Sequence, residues 1–194
     1  MELEQLSALV LFAFVSTFTP GPNNIMLMTS GANVGYKRTL PHMSGVAFGF
    51  AFMVMLVGLG LTGIFEAYPV THQILKYVSL TYLGYLAIKI ALSGKAKDVE
   101  NFKPMTFLAA ASFQWVNPKG WSMALSSVTL YSNGGGWLEL SIIASTFLLV
   151  NFPSGSFWII AGRELQRWLT SNIRVRSFNM LMAALLVGST LPML

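Results

Sequence analysis

The chain has 194 residues, of which 54% are hydrophobic and only 10% carry a charge. An ordinary soluble domain carries roughly a quarter charged residues, so one water-soluble core cannot hide this much apolar surface. A helix needs about 20 mostly apolar residues to cross a bilayer, so the length allows about six or seven spans and leaves no room for a soluble catalytic domain. The net charge of +5 does not indicate nucleic acid, because the basic residues lie between apolar runs and not on one polar face. With no cysteine and only two histidines, the sequence predicts neither a metal site nor a cofactor.

Long apolar runs predict six membrane helices, which makes the fold class all-α and polytopic. In chain order the predicted helices cover residues 6–34, 40–65, 68–92, 105–131, 138–161 and 178–194. The acidic start Met-Glu-Leu-Glu-Gln lacks the basic region of a signal peptide, so the first run is predicted to be a retained helix. The polar segment 93–104 divides a single transmembrane domain, residues 1–194, into half-repeats 1–92 and 105–194.

Basic residues concentrate in three of the predicted loops, and lysine and arginine in short loops stay on the cytoplasmic side. These loops follow the first, third and fifth helices and contain Lys37, Arg38, Lys95, Lys97, Lys103, Arg163, Arg167, Arg174 and Arg176. The opposite side offers Glu2, Glu4, Glu66 and Glu139, with Lys76 as its one basic residue. The sequence therefore predicts both termini outside and the basic loops in the cytoplasm.

Three helices in each half require the second half to lie upside down relative to the first, which is the inverted repeat of many secondary transporters. Both opening helices are interrupted at a similar depth. The first break is residues 19–24, Thr-Pro-Gly-Pro-Asn-Asn, and the second break is residues 114–121, Gln-Trp-Val-Asn-Pro-Lys-Gly-Trp. We therefore predict two inverted three-helix repeats with broken helices 1 and 4.

Prolines flanking a glycine should unwind a helix, and unpaired backbone groups are tolerated at membrane depth only when they face protein or a water-filled cavity. We therefore expect both breaks to face inward near the midplane. The half-helices that follow them would converge with partly positive N-termini and form an anion site, while carbonyls near Thr19 and Gln114 would accept a substrate ammonium. The predicted substrate-binding residues are Pro20, Gly21, Pro22, Asn23, Asn24, Gln114, Asn117, Pro118, Lys119, Gly120 and Asn151.

Lys119 is the most informative single residue, because a charge in the hydrocarbon interior usually marks a pathway or a pair. No acidic residue lies within the predicted spans away from their ends, so a substrate carboxylate is one candidate partner. The alternative is that Lys119 donates to carbonyls left free by Pro118. The missing buried acids also argue against a cationic substrate such as lysine.

Other polar positions in the spans have two interpretations each. Asn151 and Pro153 predict a kink in helix five, which either lines the path or is satisfied by packing. His42 is expected to be an interfacial group, with proton transfer as the alternative because imidazole titrates near neutrality. Gly45 and Gly49 form a small-xxx-small pair that predicts a close approach of helices.

The two breaks, together with Ser30-Gly31-Ala32-Asn33-Val34-Gly35 and Arg38-Thr39-Leu40-Pro41-His42, strongly resemble the lysine exporter (LysE/RhtB) type of amino-acid efflux transporters, the family of threonine/homoserine exporters. The resemblance covers essentially the whole chain. It implies a multi-pass protein of the bacterial cytoplasmic (inner) membrane that exports amino acids or their derivatives, driven by the proton gradient. Lys119 and His42 are the candidates for proton coupling, since the spans lack an acidic carrier.

The leading hypothesis is a secondary active exporter of a small neutral, threonine-, homoserine- or cysteine-like amino acid by alternating access. The alternatives are a channel-like or non-transporting membrane subunit, and export of a non-amino-acid solute. An intramembrane enzyme lacks a candidate site, because the spans contain no Ser/His or paired-Asp arrangement. The expected partners are the amino-acid substrate and the lipid bilayer, with a homodimer plausible and no nucleic acid.

Overall fold

A computed structural model describes residues 1–61, 67, 69–92, 102–132, 136–168 and 171–188 of the chain. Every regular element among these residues is helical. The helices are α1 Leu3–Phe18, α2 Pro22–Leu56, α3 Pro69–Ala91, α4 Phe107–Phe113, α5 Pro118–Tyr131, α6 Trp137–Gln166 and α7 Asn172–Gly188. A π-helical turn, Val57–Leu61, extends α2, and a 3-10 turn, Gln114–Val116, extends α4.

Helix α2 folds back on itself at Gly35. This glycine has φ 76° and ψ 179°, a conformation that side chains rarely allow. Ser30 Oγ lies 3.3 Å from His42 Nδ1, whereas twelve residues of straight helix would separate their backbones by about 18 Å. Residues 22–34 and 36–56 therefore form a helical hairpin, and the loop predicted between the first two spans is a turn centred on one residue.

The basic residues of the predicted cytoplasmic loops are exposed wherever the structure describes them. Lys37 and Arg38 lie exposed immediately after Gly35, and Arg163, Arg167, Arg174 and Arg176 are exposed around the turn between α6 and α7. Lys103 is exposed before α4. Lys95, Lys97, Asp98 and Glu100 of the predicted central loop lie outside the described residues, as does Glu66.

The opening half-helix of the second repeat is shorter than predicted. It begins at Phe107 and not at Met105, because Thr106 caps it by accepting a hydrogen bond from Ala109 N at 3.2 Å. The half-helix α4 therefore has 7 residues before the 3-10 turn, whereas α1 has 16. The breaks lie at the predicted residues, but their depths along the two opening helices are less equal than the sequence indicated.

The other helices cover the predicted apolar runs with shifted ends. Helix α6 reaches Gln166, beyond the predicted end at residue 161, and α7 begins at Asn172, before the predicted start at residue 178. Within the described ranges, two helical segments are long and apolar enough by length and composition to cross a membrane: Pro22–Gly60, which includes the turn at Gly35, and Trp137–Leu165. Leu3–Phe18, Tyr77–Ala91 and Phe107–Val116 are shorter apolar helices.

Large apolar side chains cover the outside of the helices while several polar side chains lie inside. Leu11, Phe52 and Leu149 are exposed, whereas Gln114 and Asn179 are buried. A monomeric soluble protein rarely exposes apolar surface over large contiguous areas. This distribution fits helices with a lipid-facing exterior.

Glycines set the close approach of α2 to its neighbours. A Cβ on Gly31 would collide with Ile159 O, and one on Gly162 would collide with Met28 O. In the second arm of the hairpin, a Cβ on Gly49 would collide with the backbone of Ala111, and one on Gly45 would collide with Phe107 O. The predicted small-xxx-small contact at Gly45 and Gly49 is therefore confirmed, with α4 as the partner helix.

Candidate functional site

The two breaks have the same local construction. Helix α1 ends at Phe18, Thr19 and Gly21 are extended, and α2 begins with Pro22. After the 3-10 turn, Asn117 is extended and α5 begins with Pro118. Proline is favoured at the first helical position because its fixed φ suits the helix and its missing N–H would be unpaired there anyway. In each break, therefore, a proline starts the second half-helix.

A pair of side-chain amides joins the breaks. Asn23 Nδ2 donates to Gln114 Oε1 at 2.9 Å, and Gln114 Nε2 donates back to Asn23 Oδ1 at 3.2 Å. Gln114 is fully buried and its Nε2 also donates to Ala110 O at 2.9 Å. These bonds satisfy both groups of the Gln114 amide and hold the start of α2 against the end of α4.

Lys119 also crosses from the second break to the first. Its Nζ donates to Thr19 O at 2.5 Å and lies 3.4 Å from Pro20 O. The ion pairs of the described residues involve Glu164 and leave Lys119 without an acidic partner. Lys119 therefore contacts backbone carbonyls, as the alternative interpretation expected. These carbonyls belong to Thr19 and Pro20, however, and not to residues left unpaired by Pro118.

Gly21 provides the space through which the lysine side chain passes. Its φ of −175° and ψ of 177° are extended values that any residue adopts. A Cβ at this position, however, would lie 2.7 Å from Lys119 Cδ and 3.2 Å from Nζ. The first break therefore needs glycine because of the lysine in the second break, a link that the sequence alone did not reveal.

The carbonyls that end α1 are occupied by protein donors. Asn24 Nδ2 donates to Thr17 O at 2.7 Å and to Thr19 O at 2.8 Å. Ser154 Oγ of α6 donates to Thr17 O at 2.9 Å. The expectation that carbonyls near Thr19 and Gln114 would be free for an ammonium is therefore wrong, since Gln114 O also accepts from Asn117 N at 3.2 Å.

The first break faces inward only in part. Gly21, Pro22 and Asn24 are buried, but Thr19 and Pro20 are exposed. This orientation is tolerable at membrane depth because Pro20 has no N–H to satisfy and the two carbonyls face Lys119 Nζ. Thr19 and Pro20 therefore form the accessible edge of the first break.

A small, partly open cavity lies between the breaks. The predicted site residues that line it are Gly21, Asn23, Asn24, Asn117, Lys119, Gly120 and Asn151. Pro20, Pro22, Gln114 and Pro118 do not line it and instead shape or brace the breaks. The wall is completed by four residues that were not predicted from the sequence, Ser16, Thr17, Phe50 and Met123. Ser16 and Thr17 could have been found as polar residues one turn before the break, whereas Phe50 and Met123 carry no such signal.

Asn151 and Asn117 are the two polar positions that this cavity explains best. Asn151 lines it, and its Nδ2 also donates to Phe147 O at 2.9 Å within α6, which continues through Pro153 as one helix. Both alternatives for Asn151 therefore stay predictions. Asn117 Oδ1 is buried and has no hydrogen-bond partner within the described part of the chain. An unpaired buried acceptor is costly, which makes it a natural contact for a ligand donor.

His42 lies away from this cavity and is not interfacial, contrary to expectation. It is only 1% exposed, because the turn at Gly35 brings it against Ser30 inside the hairpin. Its Nδ1 is paired with Ser30 Oγ, and its Nε2 has no partner within the described ranges. Those ranges contain no cluster of three His, Cys, Asp or Glu residues that could hold a metal ion.

The chain is similar to known transport proteins over nearly its whole length. The model of the LysE type translocator family matches residues 14–193. Proteins named cysteine/O-acetylserine efflux protein from Escherichia coli (strain K12) and Shigella sonnei (strain Ss046) are each 29% identical to it over 188 residues. That alignment covers 94% of this chain and 93% of each relative. No solved structure matches.

LysE type translocators and the efflux proteins named above are transporters and not enzymes. With its family model matched from residue 14 to residue 193, the chain belongs to the LysE type translocators, as an amino-acid efflux protein of the membrane.

Proposed function

We propose that the protein is a secondary active exporter of small neutral amino acids or their derivatives, and that it works by alternating access. The observation that carries the proposal is the cavity between the two breaks, lined from one break by Gly21 and Asn23 and from the other by Asn117 and Gly120. Broken helices that meet at a shared cavity are the usual substrate site of secondary transporters. The names of the relatives favour cysteine or O-acetylserine within the class of small neutral substrates.

The substrate carboxylate is proposed to bind at the side of the cavity where the half-helices begin. Pro22 and Pro118 start α2 and α5, and helix N-termini carry partial positive charge. Lys119 lines the same cavity and its Nζ contacts neutral carbonyls, so a carboxylate would compete for it with a full opposite charge. Lys119→Met should abolish export at unchanged expression, and export at the normal rate would remove this lysine from the mechanism.

The arrangement in the membrane is proposed to follow the charge pattern of the loops. Half-repeats 1–92 and 105–194 would be inverted, with six spans, both termini outside and the basic loops in the cytoplasm. The turn at Gly35 supports this arrangement because it joins two antiparallel segments next to exposed Lys37 and Arg38. A C-terminal reporter active only in the cytoplasm should stay silent, and activity would overturn the orientation. A homodimer stays a prediction, for which the number of subunits in cross-linked membranes is the test.

Proton coupling is proposed to involve Lys119 or His42. His42 is buried against Ser30, with Nε2 unpaired in the described part of the structure, which leaves one ring nitrogen for a proton or a water molecule. His42→Gln should leave exchange of substrate across the membrane intact but abolish its stimulation by an imposed pH gradient. If both are preserved, His42 takes no part in coupling.

Counterflow in proteoliposomes tests the function directly. Vesicles loaded with unlabelled L-cysteine under reducing conditions should transiently accumulate external labelled L-cysteine above equilibrium, because a carrier exchanges one substrate for another. A channel would only equilibrate the label, and a non-transporting subunit would leave it outside. A parallel assay with O-acetyl-L-serine and L-threonine ranks the substrates, and absence of counterflow with all three would contradict the proposal.

A further inference from the structure

Two of the residues that line the cavity between the breaks have large apolar side chains, Phe50 and Met123. The other lining residues in the described part of the chain are polar or glycine. Phe50 belongs to the second arm of the α2 hairpin and Met123 to α5, and Met123 packs against the buried apolar cluster that contains Phe50. Phe50 and Met123 therefore form one apolar wall of an otherwise polar cavity.

Phe50 is the fixed part of the apolar wall. It is only 2% exposed, and its ring centroid lies 5.0 Å from that of Phe147 in an edge contact. Phe147 of α6 is fully buried and makes a second edge contact, at 6.2 Å, with Phe12 of α1. Edge-to-face aromatic pairs add stabilisation beyond the area they bury, so the stack holds the Phe50 ring in place. Met123 is half-buried, and its unbranched side chain can adapt to what lies against it.

The position of Met123 on α5 relates the apolar wall to the proposed carboxylate site. Met123 follows Lys119 by four residues, so the two side chains share one face of the helix and are separated by about 6 Å along its axis. The substrate carboxylate is proposed above to bind at Lys119 and the start of α5. A small amino acid spans a comparable length from its carboxylate to the end of its side chain. A side chain that points along α5 therefore reaches the apolar wall.

The chemistry of the apolar wall separates a thiol from a hydroxyl. A phenyl ring has no polar atom, and a thioether sulfur is only a weak acceptor. A hydroxyl placed against these groups gives up its water and gains no good hydrogen bond, which is costly. A thiol behaves as a small hydrophobic group, and sulfur makes favourable contacts with aromatic rings. The wall therefore favours a side chain that ends in a methyl or thiol group.

We propose that Phe50 and Met123 form the subsite for the substrate's side chain, and that this subsite rejects side chains ending in a free hydroxyl. This inference rests on the proposed function and deepens it, because it divides small neutral amino acids by the end group of the side chain. L-Cysteine fits the subsite. O-Acetyl-L-serine fits it as well, since acetylation removes the hydroxyl donor and leaves a methyl group at the end. L-Serine, although close to L-cysteine in shape, is a poor substrate.

Binding to the purified full-length protein in detergent tests the subsite, with ligand-induced thermal stabilisation as the readout. The probes are L-2-aminobutyrate, L-cysteine and L-serine, which differ only in whether the side chain ends in a methyl, thiol or hydroxyl group. Because an unpaired hydroxyl is costly to bury, L-2-aminobutyrate and L-cysteine should each bind at least about ten-fold more tightly than L-serine. Equal affinities for L-serine and L-2-aminobutyrate would overturn the subsite.

Met123→Gln places an amide on the apolar wall, and Met55→Gln is its matched control. Glutamine has nearly the length of methionine and can both donate to and accept from a hydroxyl. Met55 is also half-buried and packs against the same apolar cluster, but it does not line the cavity. Met123→Gln should lower the preference for L-2-aminobutyrate over L-serine by about ten-fold, whereas Met55→Gln should preserve it. An unchanged preference in folded Met123→Gln would contradict the proposal.

Met123→Leu provides a second variant should the glutamine variant fail to fold. It keeps the wall apolar at a similar volume, so the preference for L-2-aminobutyrate over L-serine should stay within about two-fold of the wild type. A loss of preference in this variant would overturn the subsite. If the wild type binds none of the three amino acids, the proposed function fails together with the subsite, whereas counterflow with equal affinities refutes the subsite alone.

Discussion

Replacing Gly21 with alanine should displace Lys119 from Thr19 O and Pro20 O, although the backbone at position 21 can accept a side chain. The extended φ and ψ of Gly21 exclude conformational strain as the cause. The new Cβ would lie 2.7 Å from Lys119 Cδ, and the flexible lysine can relieve this overlap only by moving away. Gly21→Ala should therefore reproduce the effect of losing the Lys119 ammonium.

The expected size follows from the contacts that are lost. A hydrogen bond from a charged group contributes about 1.5–3 kcal/mol, and the lower end applies because Lys119 is only half-buried. Thr19 O keeps its bond from Asn24 Nδ2 at 2.8 Å, so displacement does not leave this carbonyl unpaired. A loss of about 1.5 kcal/mol corresponds to a fall in Tm of about 3–6 °C for a protein of this size.

A double-mutant cycle with Lys119→Ala measures the link directly. Thermal unfolding in detergent and counterflow are recorded for Gly21→Ala, Lys119→Ala and the double variant. Because both changes act on one contact, the double variant should be no less stable than Lys119→Ala, to within about 0.5 kcal/mol. Gly84→Ala is the control, since nothing lies within 4 Å of its Cβ position.

Additive effects of the two substitutions would refute the reasoning. They would mean that alanine at position 21 acts on something other than Lys119. Full transport activity in Gly21→Ala with a displaced lysine would equally show that the contact between the breaks is dispensable.

Three further substitutions test the framework around the cavity. Gln114→Leu should lower the free energy of unfolding by about 1–3 kcal/mol, because the amide of Asn23 loses its partner; an unchanged Tm would contradict the role of this pair. Gly162→Ala should sharply reduce the yield of monodisperse protein, because the new Cβ would overlap Met28 O and a helix backbone cannot move locally to relieve the overlap. A normal yield would show that α2 and α6 can move apart. Gly35→Ala should cost about 1–3 kcal/mol from its φ of 76°, and a Tm equal to that of the wild type would mean that the turn adopts another conformation.

The breaks could be located from the sequence because proline and glycine act locally. Pro22 and Pro118 lack an N–H and fix φ, so each begins a half-helix whatever surrounds it. Long apolar runs likewise locate helices, because the pattern is spread over many residues. Helix ends were less certain: Thr106 starts α4 two residues late through a single cap, and a one-residue pattern of this kind is easily missed.

The partners of the polar groups could not be predicted, because they depend on how separate helices meet. Lys119 was predicted to lie in the hydrocarbon interior with a substrate carboxylate or carbonyls near Pro118 as its partner, but its contact with Thr19 crosses from one half of the chain to the other. Asn24 was predicted to bind substrate, and its amide nitrogen donates to Thr17 O in α1 and to Thr19 O just after it. His42 looked interfacial because it follows a basic segment, and the tight turn at Gly35 buries it.

The absence of native cysteine makes the cavity directly accessible to a labelling test. A single cysteine replaces Met123, which lines the cavity, or Lys37, which is exposed beside the Gly35 turn. Reaction with a small water-soluble thiol reagent is then followed with and without O-acetyl-L-serine. If the cavity between the breaks holds the substrate, O-acetyl-L-serine slows the reaction at Met123→Cys and leaves that at Lys37→Cys unchanged. Equal rates with and without substrate at Met123→Cys, in a variant that still performs counterflow, would contradict this location.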